Sequence, residues 1–412
     1  MTTVLVTGGA GYIGSHCVIA LLDAGYDVVI FDNYSTGHRE TAEVLSNIRS
    51  KGRVLSVLNG DLLDRHSIDL AFEGHDIDSV VHFAAFSQVA ESVTDPGKYY
   101  LNNVCGTVNL LDSMREHGVL RIVFSSTAAT YGEPDYTPID ERHPQRPINP
   151  YGSSKLMIER IMDDYDAAYC LRSLRLRYFN VAGADSGGRV GEMHTPETHL
   201  IPNILKSTFG NGREFSMFGT DYPTRDGTCV RDYVNVEDLA EAHILALGYL
   251  ERGGRTDFIN LGTNNGSTVR EVFDASERVV GEKIPLVVKG RRPGDPAVLV
   301  ADNRKAKAVL GWSPRHSLEE SIRETLALRD SLRGGLSVHL PDAATFAVTD
   351  RASMLARAAA VGVLATGQVQ GGEGVCHPVE ERIVGLCIIQ SRAQRGAVEL
   401  RADQRQVEDV EE

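Results

Sequence analysis

Cysteine is scarce in this chain and follows no pattern. The six cysteines, at 17, 105, 170, 229, 376 and 387, include no C-x-x-C pair. Thiolate metal knots of the usual spacing are therefore excluded. A chain this long does not depend on disulfides, so a reducing, cytoplasmic compartment is expected. Long apolar runs are also missing. The nearest candidate, 352-ASMLARAAAVGVLATG-367, is broken by Arg357, and no membrane span is expected. The first residues, MTTVLVTGG, carry neither a basic leader nor an apolar stretch of the kind a secretory signal needs. Positive charge is in deficit. There are 42 Lys and Arg against 56 Asp and Glu, a net charge of −14, which argues against a nucleic-acid partner. An anionic small molecule is still allowed, because a few local arginines or helix N-termini suffice to hold it.

What is present is alternation. Apolar runs of strand length stand at 3–7, 27–31, 53–58, 79–84, 120–126 and 174–179. Segments of helical spacing separate them at 13–25, 64–72, 99–118 and 151–168. Strands that are apolar on both faces and alternate with helices predict a doubly wound parallel sheet of Rossmann type. After about residue 180 the rhythm loosens, with Gly- and Pro-rich loops around helices near 236–250, 268–281, 303–310 and 317–332. The expected organisation is a dinucleotide-binding domain over 1–180, with strand and helix returns from about 232–262. A smaller mixed α/β substrate lobe follows over 181–333, and a C-terminal extension over 334–412. The extension has little periodicity, and its Cys376-His377 pair lacks partners at metal-ligand spacing, so no metal site is expected.

The first strand runs into 8-GGAGYIG-14, where Gly9, Gly11 and Gly14 satisfy G-x-G-x-x-G and Gly8, Gly11 and Gly14 give a related spacing. A strand before it, a helix after it and an acid closing the second strand, Asp32, supply the context the motif requires. The glycines bring backbone close to a pyrophosphate at the positive end of a helix. Asp32 accepts ribose hydroxyls and repels a 2′-phosphate, which favours NAD over NADP. Asp61 in 60-GDL-62 and the stretch 83-FAAFS-87 follow the third and fourth strands and face the same ligand.

Chemistry is expected at the tip of the fifth strand, 124-FSSTAATYG-132, together with 149-NPYGSSKLMIER-160. Tyr151 and Lys155 are one helical turn apart on one face. An ammonium and a positive nicotinamide ring beside the phenol would favour phenolate over its ordinary pKa of about 10. Tyr151 would then take a proton from a substrate hydroxyl while hydride leaves the same carbon, with Thr127 holding the oxygen.

The set GGAGYIG, FSSTAATYG, NPYGSSKLMIE, LRYFNVAGA, FGTDYPTRDGTCVRDYV and RRPGD resembles the extended short-chain dehydrogenase/reductases, and among them the UDP-glucose 4-epimerases, over about residues 1–333. The resemblance implies a tightly held NAD that is reduced and reoxidised in each turnover, with UDP-glucose and UDP-galactose interconverted through a 4-keto sugar. It implies Tyr151 as base, Lys155 tuning it, and Thr127 on O4 of the hexose. It places Gly8, Gly11, Tyr12, Ile13 and Gly14 at the pyrophosphate and Asp32, Asn33, Tyr34, Ser35, Thr36 and Gly37 around the adenosine ribose. Asp61 and Leu62 fall at the adenine. Phe83, Ala84, Ala85, Phe86, Ser87, Asn102 and Phe179 are further NAD contacts. Asn180, His199, Leu200, Phe218, Arg231, Arg292 and Asp295 match positions around UDP, where guanidinium groups suit a diphosphate. A homodimer through the helices near 99–117 and 151–168 is implied as well.

Three departures stand out. Thr127 replaces a frequent Ser but keeps the hydroxyl. Asn235 stands where relatives often have His. Leu299 stands where many bacterial members carry Tyr beside the hexose, and a smaller residue there resembles versions that admit N-acetylated sugars. Rival activities are a nucleotide-sugar 4,6-dehydratase, a decarboxylase and a non-catalytic NAD sensor. The dehydratase and the decarboxylase need a carboxylate near the strand tip, where this chain has Ala128 and Ala129. The sensor has no use for the Thr127–Tyr151–Lys155 triad.

Overall fold

A computed structural model describes residues 2–208, 214–292 and 295–333. The expectations for 334–412, Cys376 and Cys387 included, lie outside these residues.

Seven parallel strands form the main sheet. In chain order they begin with β1 (Thr3–Thr7), β2 (Asp27–Asp32), β3 (Val54–Asn59), β4 (Ser79–His82), β5 (Arg121–Thr127) and β6 (Arg172–Tyr178). Four short strands follow, β7 (Asn180–Ala182), β8 (Phe215–Phe218), β9 (Val230–Arg231) and β10 (Tyr233–Asn235), before β11 (Asp257–Leu261) returns to the sheet. The spatial order is β11-β6-β5-β4-β1-β2-β3. Chain direction reverses its lateral progress between β1 and β4, and that switch point opens a crevice at the strand C-termini. Strands β1, β2 and β4 are buried along their whole length, as their unbroken apolar runs require.

Helices cover both faces. On one side α1 (Tyr12–Ala24) packs with α9 (Val236–Glu251), burying Leu21, Leu22, Leu239 and Leu247 against Val4, Val6 and Ile30. On the other, α3 (Arg65–Glu73), α6 (Gly106–Glu116) and α7 (Pro150–Tyr169) bury Ile68, Leu110, Met114, Ile158 and Met162 against Leu5, Val29 and Phe124. Burying such side chains contributes roughly 1.5–3 kcal/mol each. Helices α2 (Arg39–Ser46), α4 (Val89–Thr94) and α5 (Pro96–Tyr99) are additions to the sequence expectation.

The helix expected over 99–118 is interrupted. A wide π-type turn spans Tyr100–Cys105 before α6 begins. Its cause is local. Asn103 turns inward, accepts the Phe86 amide at 2.9 Å and donates to the Phe86 carbonyl at 3.0 Å and to Ser154 at 3.2 Å. Such turns concentrate at functional sites, and this one carries Asn102 to the crevice.

Beyond β6 the chain builds a second cluster. Its elements are α8 (Leu200–Lys206), β12 (Ser267–Thr268), α10 (Val269–Val280), β13 (Leu286–Lys289), β14 (Val298–Leu299) and α12 (Leu318–Arg333), while α11 (Arg304–Leu310) returns to the main-sheet core through Ala306 and Leu310. Strand β8 pairs with β13, and β9 lies between β12 and β14. Ile204, Leu205, Met217, Phe273 and Ile322 fill its core. Among the described residues Cys17, Cys170 and Cys229 are free thiols, and no helix is long and apolar enough to cross a membrane.

Candidate active site

The nucleotide end is built by β1, α1 and β2. Gly14 sits so close to the turn that a Cβ there would lie 2.1 Å from the Gly8 carbonyl oxygen, so only glycine lets α1 start this near the strand. Gly11 is the N-cap and provides no side-chain cap, which leaves the first-turn amides of a 13-residue helix free for an anion. Asp32 is held rigidly. Its carboxylate accepts the Ala10 amide at 2.9 Å and the Tyr34 amide at 2.8 Å. Burial raises its pKa, and those two amides oppose the rise.

The chemical end is built by β5 and α7. Strand alternation turns Ser126 to the face opposite Ser125 and Thr127 at the β5 tip. Ser125 hydrogen-bonds the Tyr178 hydroxyl, and Ser126 turns to Glu159. Thr127 lines the cleft and accepts the Ala129 amide at 3.2 Å. Asn149 caps α7 by accepting the Gly152 amide at 2.8 Å, and Pro150 occupies the first turn. A Cβ on Gly152 would lie 2.4 Å from the Ala129 carbonyl oxygen. That glycine is what lets the helix press against the strand tip and bring Tyr151 beside Thr127. Lys155 is 2% exposed, donates to the Ser125 carbonyl at 2.8 Å and lies 4.7 Å from the Phe124 ring centroid.

Burial pulls the Lys155 ammonium down to about 7, with Glu159 pulling it back up. Burial raises the Tyr151 phenol above its ordinary value, and the Thr127 hydroxyl opposes that rise. The protein alone therefore makes Tyr151 a weaker acid than the sequence reading expects, because desolvation outweighs the hydrogen bond that Thr127 provides. Below Lys155, Glu159 pairs with buried Arg177, whose Nε lies 2.9 Å from Oε1.

Both ends open into one cleft of ≈ 460 Å³. Of the residues expected at the cofactor, Gly8, Gly11, Tyr12, Ile13, Gly14, Asp32, Asn33, Ser35, Thr36, Leu62, Phe83, Ala84, Ala85, Ser87, Asn102 and Phe179 line it, with Thr127, Tyr151 and Lys155. Four others support the wall instead of forming it. Tyr34 turns its ring under Arg39, 4.4 Å away. Gly37 lies behind the Asp32 carboxylate and Ala10. Asp61 accepts from Asn33 at 3.0 Å and from the Leu63 amide at 2.8 Å. Phe86 lies beneath Lys98, 4.0 Å from its ammonium.

On the substrate side Asn180, His199, Arg231, Asp295 and Leu299 line the cleft. Leu200, Phe218 and Arg292 line an adjoining cavity of ≈ 430 Å³ that shares Asn180, His199, Arg231 and Asp295. Arg231 is tethered by the Pro296 carbonyl at 2.8 Å and by Asp295 at 3.4 Å. Arg292 stacks 3.9 Å over Phe218. Leu299 pairs in register with Arg231 and packs beside Phe179, while Val298 and Val300 line a separate pocket. Leu299 is thus the residue of that strand that meets the cleft. Asn235 caps α9 through the Glu237 amide at 2.7 Å and holds Ser321 and Glu324.

Sequence reasoning missed Glu192 and His194, which also line the cleft. Burial opposes charge on both Glu192 and His199, yet the His194 and His199 imidazoles override it on Glu192 and take it down to about 2. Glu192 and Glu197 together lift His199 to about 10. The repeated spacing E-x-H-x-x-E-x-H over 192–199 is the signal that could have found them.

Comparison with known proteins fits this geometry. A family model described as GDP-mannose 4,6 dehydratase matches residues 5–325. The UDP-glucose 4-epimerase of Lacticaseibacillus casei is 49% identical over 323 residues, covering 78% of this chain and 95% of that protein. The chain belongs to the UDP-glucose 4-epimerase family. A crystal structure of UDP-glucose 4-epimerase from Brucella ovis in complex with NAD superposes with a TM-score of 0.75 at 43% identity, covering 79% of this chain and 98% of that one. The UDP-Glc/GlcNAc 4-epimerase of Campylobacter jejuni matches with a TM-score of 0.70 at 37% identity, covering 80% and 100%. The family model carries a dehydratase's name, but Ala128 and Ala129 follow Thr127 here, and neither can move the protons that loss of water requires.

Proposed function

We propose that the protein interconverts UDP-glucose and UDP-galactose by reversible oxidation at C4, with NAD as its cofactor. The observation that carries this reading is the meeting of Thr127, Tyr151 and Lys155 with the glycine turn in one cleft. The uncapped α1 N-terminus, the close approach of α1 to the glycine turn that Gly14 permits and the fixed Asp32 carboxylate suit a dinucleotide with a free 2′-hydroxyl. NAD, when bound, supplies the reversible hydride acceptor and a positive ring beside the phenol. Thr127 holds O4, and Tyr151 takes the O4 proton as the C4–H bond breaks. Lys155 stays close enough to favour phenolate when protonated. Tyr151 returns the proton after the 4-keto sugar has presented its other face. Asn180, Arg231 and Arg292 hold the diphosphate end throughout.

The cofactor domain comprises residues 1–180 with returns from 232–262, and the substrate lobe spans 181–333. Leu299 leaves room for an N-acetyl group, so UDP-GlcNAc and UDP-GalNAc are secondary substrates. The Campylobacter relative named for both sugars supports this. A homodimer in the cytoplasm through α6 and α7 completes the reading. Leu101 and Met157, each 46% exposed near those helices, support it, and a monomer by light scattering would remove that part. The activity itself is tested by adding UDP-galactose to purified NAD-loaded protein. Partial reduction of bound NAD together with UDP-glucose formation is expected, and unchanged NAD with no new sugar would overturn the reading.

A further inference from the structure

The loop before α8 contains a group that the C4 chemistry does not use. Glu192, His194, Glu197 and His199 each direct one donor atom inward, and these four atoms lie within 4.8 Å of one another. Glu192 Oε1 is 3.0 Å from His194 Nδ1 and 2.6 Å from His199 Nδ1. Glu197 Oε1 is 2.9 Å from the same His199 Nδ1 and also accepts the His199 amide at 2.8 Å. The two carboxylates are 4% and 3% exposed, the imidazoles 26% and 44%.

Hydrogen bonding satisfies this arrangement poorly. One Nδ1 carries at most one proton, yet His199 Nδ1 faces oxygens of two carboxylates. Glu192 Oε1 in turn faces two Nδ1 atoms. The two carboxylates bring two negative charges into a mostly buried place. A divalent cation at the common point would meet all four donors and cancel that charge.

We propose that Glu192, His194, Glu197 and His199 form a binding site for a divalent transition metal of the zinc class. Two imidazole nitrogens and two carboxylate oxygens are a usual zinc donor set, and imidazole ligands disfavour magnesium and calcium. Zinc bonds of about 2.0–2.2 Å give tetrahedral edges of about 3.3 Å, between the 2.6 Å contact of His199 with Glu192 and the 4.8 Å limit of the group, so the loop has to adjust by up to about 1.5 Å. Three of the ligands also line the cleft wall beside Asn180 and Arg231. The cation fixes that wall and adds positive charge facing a sugar-nucleotide diphosphate. The second role rests on the epimerase reading, whereas the binding site does not.

The test uses the full-length protein stripped with a chelator and then titrated with zinc against a chromophoric competitor. Wild type is expected to bind one zinc per chain at micromolar affinity or tighter, and to rise in thermal transition when zinc is added. Cobalt should give the intense visible band of a four-coordinate site. Glu192→Gln and His194→Ala should each weaken zinc binding by at least about 100-fold. His75→Ala, distant from the loop, should bind as wild type does. Retained NAD and an unchanged transition in chelator would show that the variants fold. Absence of stoichiometric zinc binding in wild type, or equal binding by the loop variants, overturns the proposal. Reduction of bound NAD by UDP-galactose is measured in the same samples. Reduction without zinc binding removes the metal site alone, and zinc binding without reduction removes the epimerase reading alone.

Discussion

The two walls of the cleft are made differently. The nucleotide wall consists of regular elements: strand ends, the first turn of α1, and α7 seated on the β5 tip through Gly152. Each functional group there is set by a local rule of spacing or capping. The substrate wall consists of a loop, the short strands β7, β8, β9 and β14, and the start of α8, and its groups are set by contacts between residues far apart in sequence. Arg231 is positioned by Pro296, 65 residues away. The nucleotide wall is fixed by contacts within the protein itself. The substrate wall is where charge, pocket size and specificity are adjusted.

Perturbing either wall should have distinct consequences. The largest effect is expected from Tyr151→Phe, which removes the proton acceptor and leaves the nucleotide wall whole. Turnover should fall by roughly 10³-fold or more, with NAD content unchanged by absorbance of the denatured protein. Gly14→Ala should act in the opposite way. The added Cβ collides with the Gly8 carbonyl oxygen, so purified protein should lose most of its NAD and its activity together. Leu299→Tyr fills the substrate wall only. It should cut turnover of UDP-GalNAc at least tenfold relative to UDP-galactose, and an unchanged ratio would mean Leu299 is simple packing.

Two smaller effects concern stability. Lys155 has its pKa lowered to about 7 in the fold, against 10.5 as a free side chain. Below about pH 7 both states hold the proton, so the cost of burying the ammonium is fully present. Above it the folded state releases the proton first, and stability rises with pH until the free-chain value is passed. Lys155→Met should therefore stabilise ligand-free protein by about 2 kcal/mol at pH 6, after allowing for the lost Ser125 hydrogen bond, while abolishing turnover. Chemical denaturation at several pH values should show that gain shrinking towards pH 10. His316 behaves inversely. Its bond to Asp238 lifts it to about 9. That contribution is fully present below its ordinary value of about 6.5 and is lost as pH rises through 9. His316→Gln should cost about 1 kcal/mol at pH 6 and little at pH 10.

The same contrast explains what the sequence made legible. Alternating apolar runs located the six leading strands, and glycine spacing with Asp32 located the nucleotide wall, because both follow from short-range geometry. The separate roles of Ser125, Ser126 and Thr127 needed the strand's facing. The π-type turn at 100–105 was hidden, because it depends on Asn103 reaching Phe86 across 17 positions. Tyr34, Gly37, Asp61 and Phe86 were assigned to the cofactor by resemblance; the Tyr34, Asp61 and Phe86 side chains meet Arg39, Asn33 and Lys98, and Gly37 backs the Asp32 carboxylate. Glu192 and His194 lie in a loop, where the spacing E-x-H-x-x-E-x-H is visible but only the fold shows that they converge with His199.

The central claim is that hydride leaves C4 and returns to C4 of the same sugar, with Tyr151 carrying only the proton. UDP-galactose bearing deuterium at C4, incubated with the NAD-loaded protein in ordinary water, tests this directly. The account predicts UDP-glucose that keeps its deuterium at C4, as read by mass spectrometry and proton NMR. Loss of the label to solvent during interconversion would contradict it.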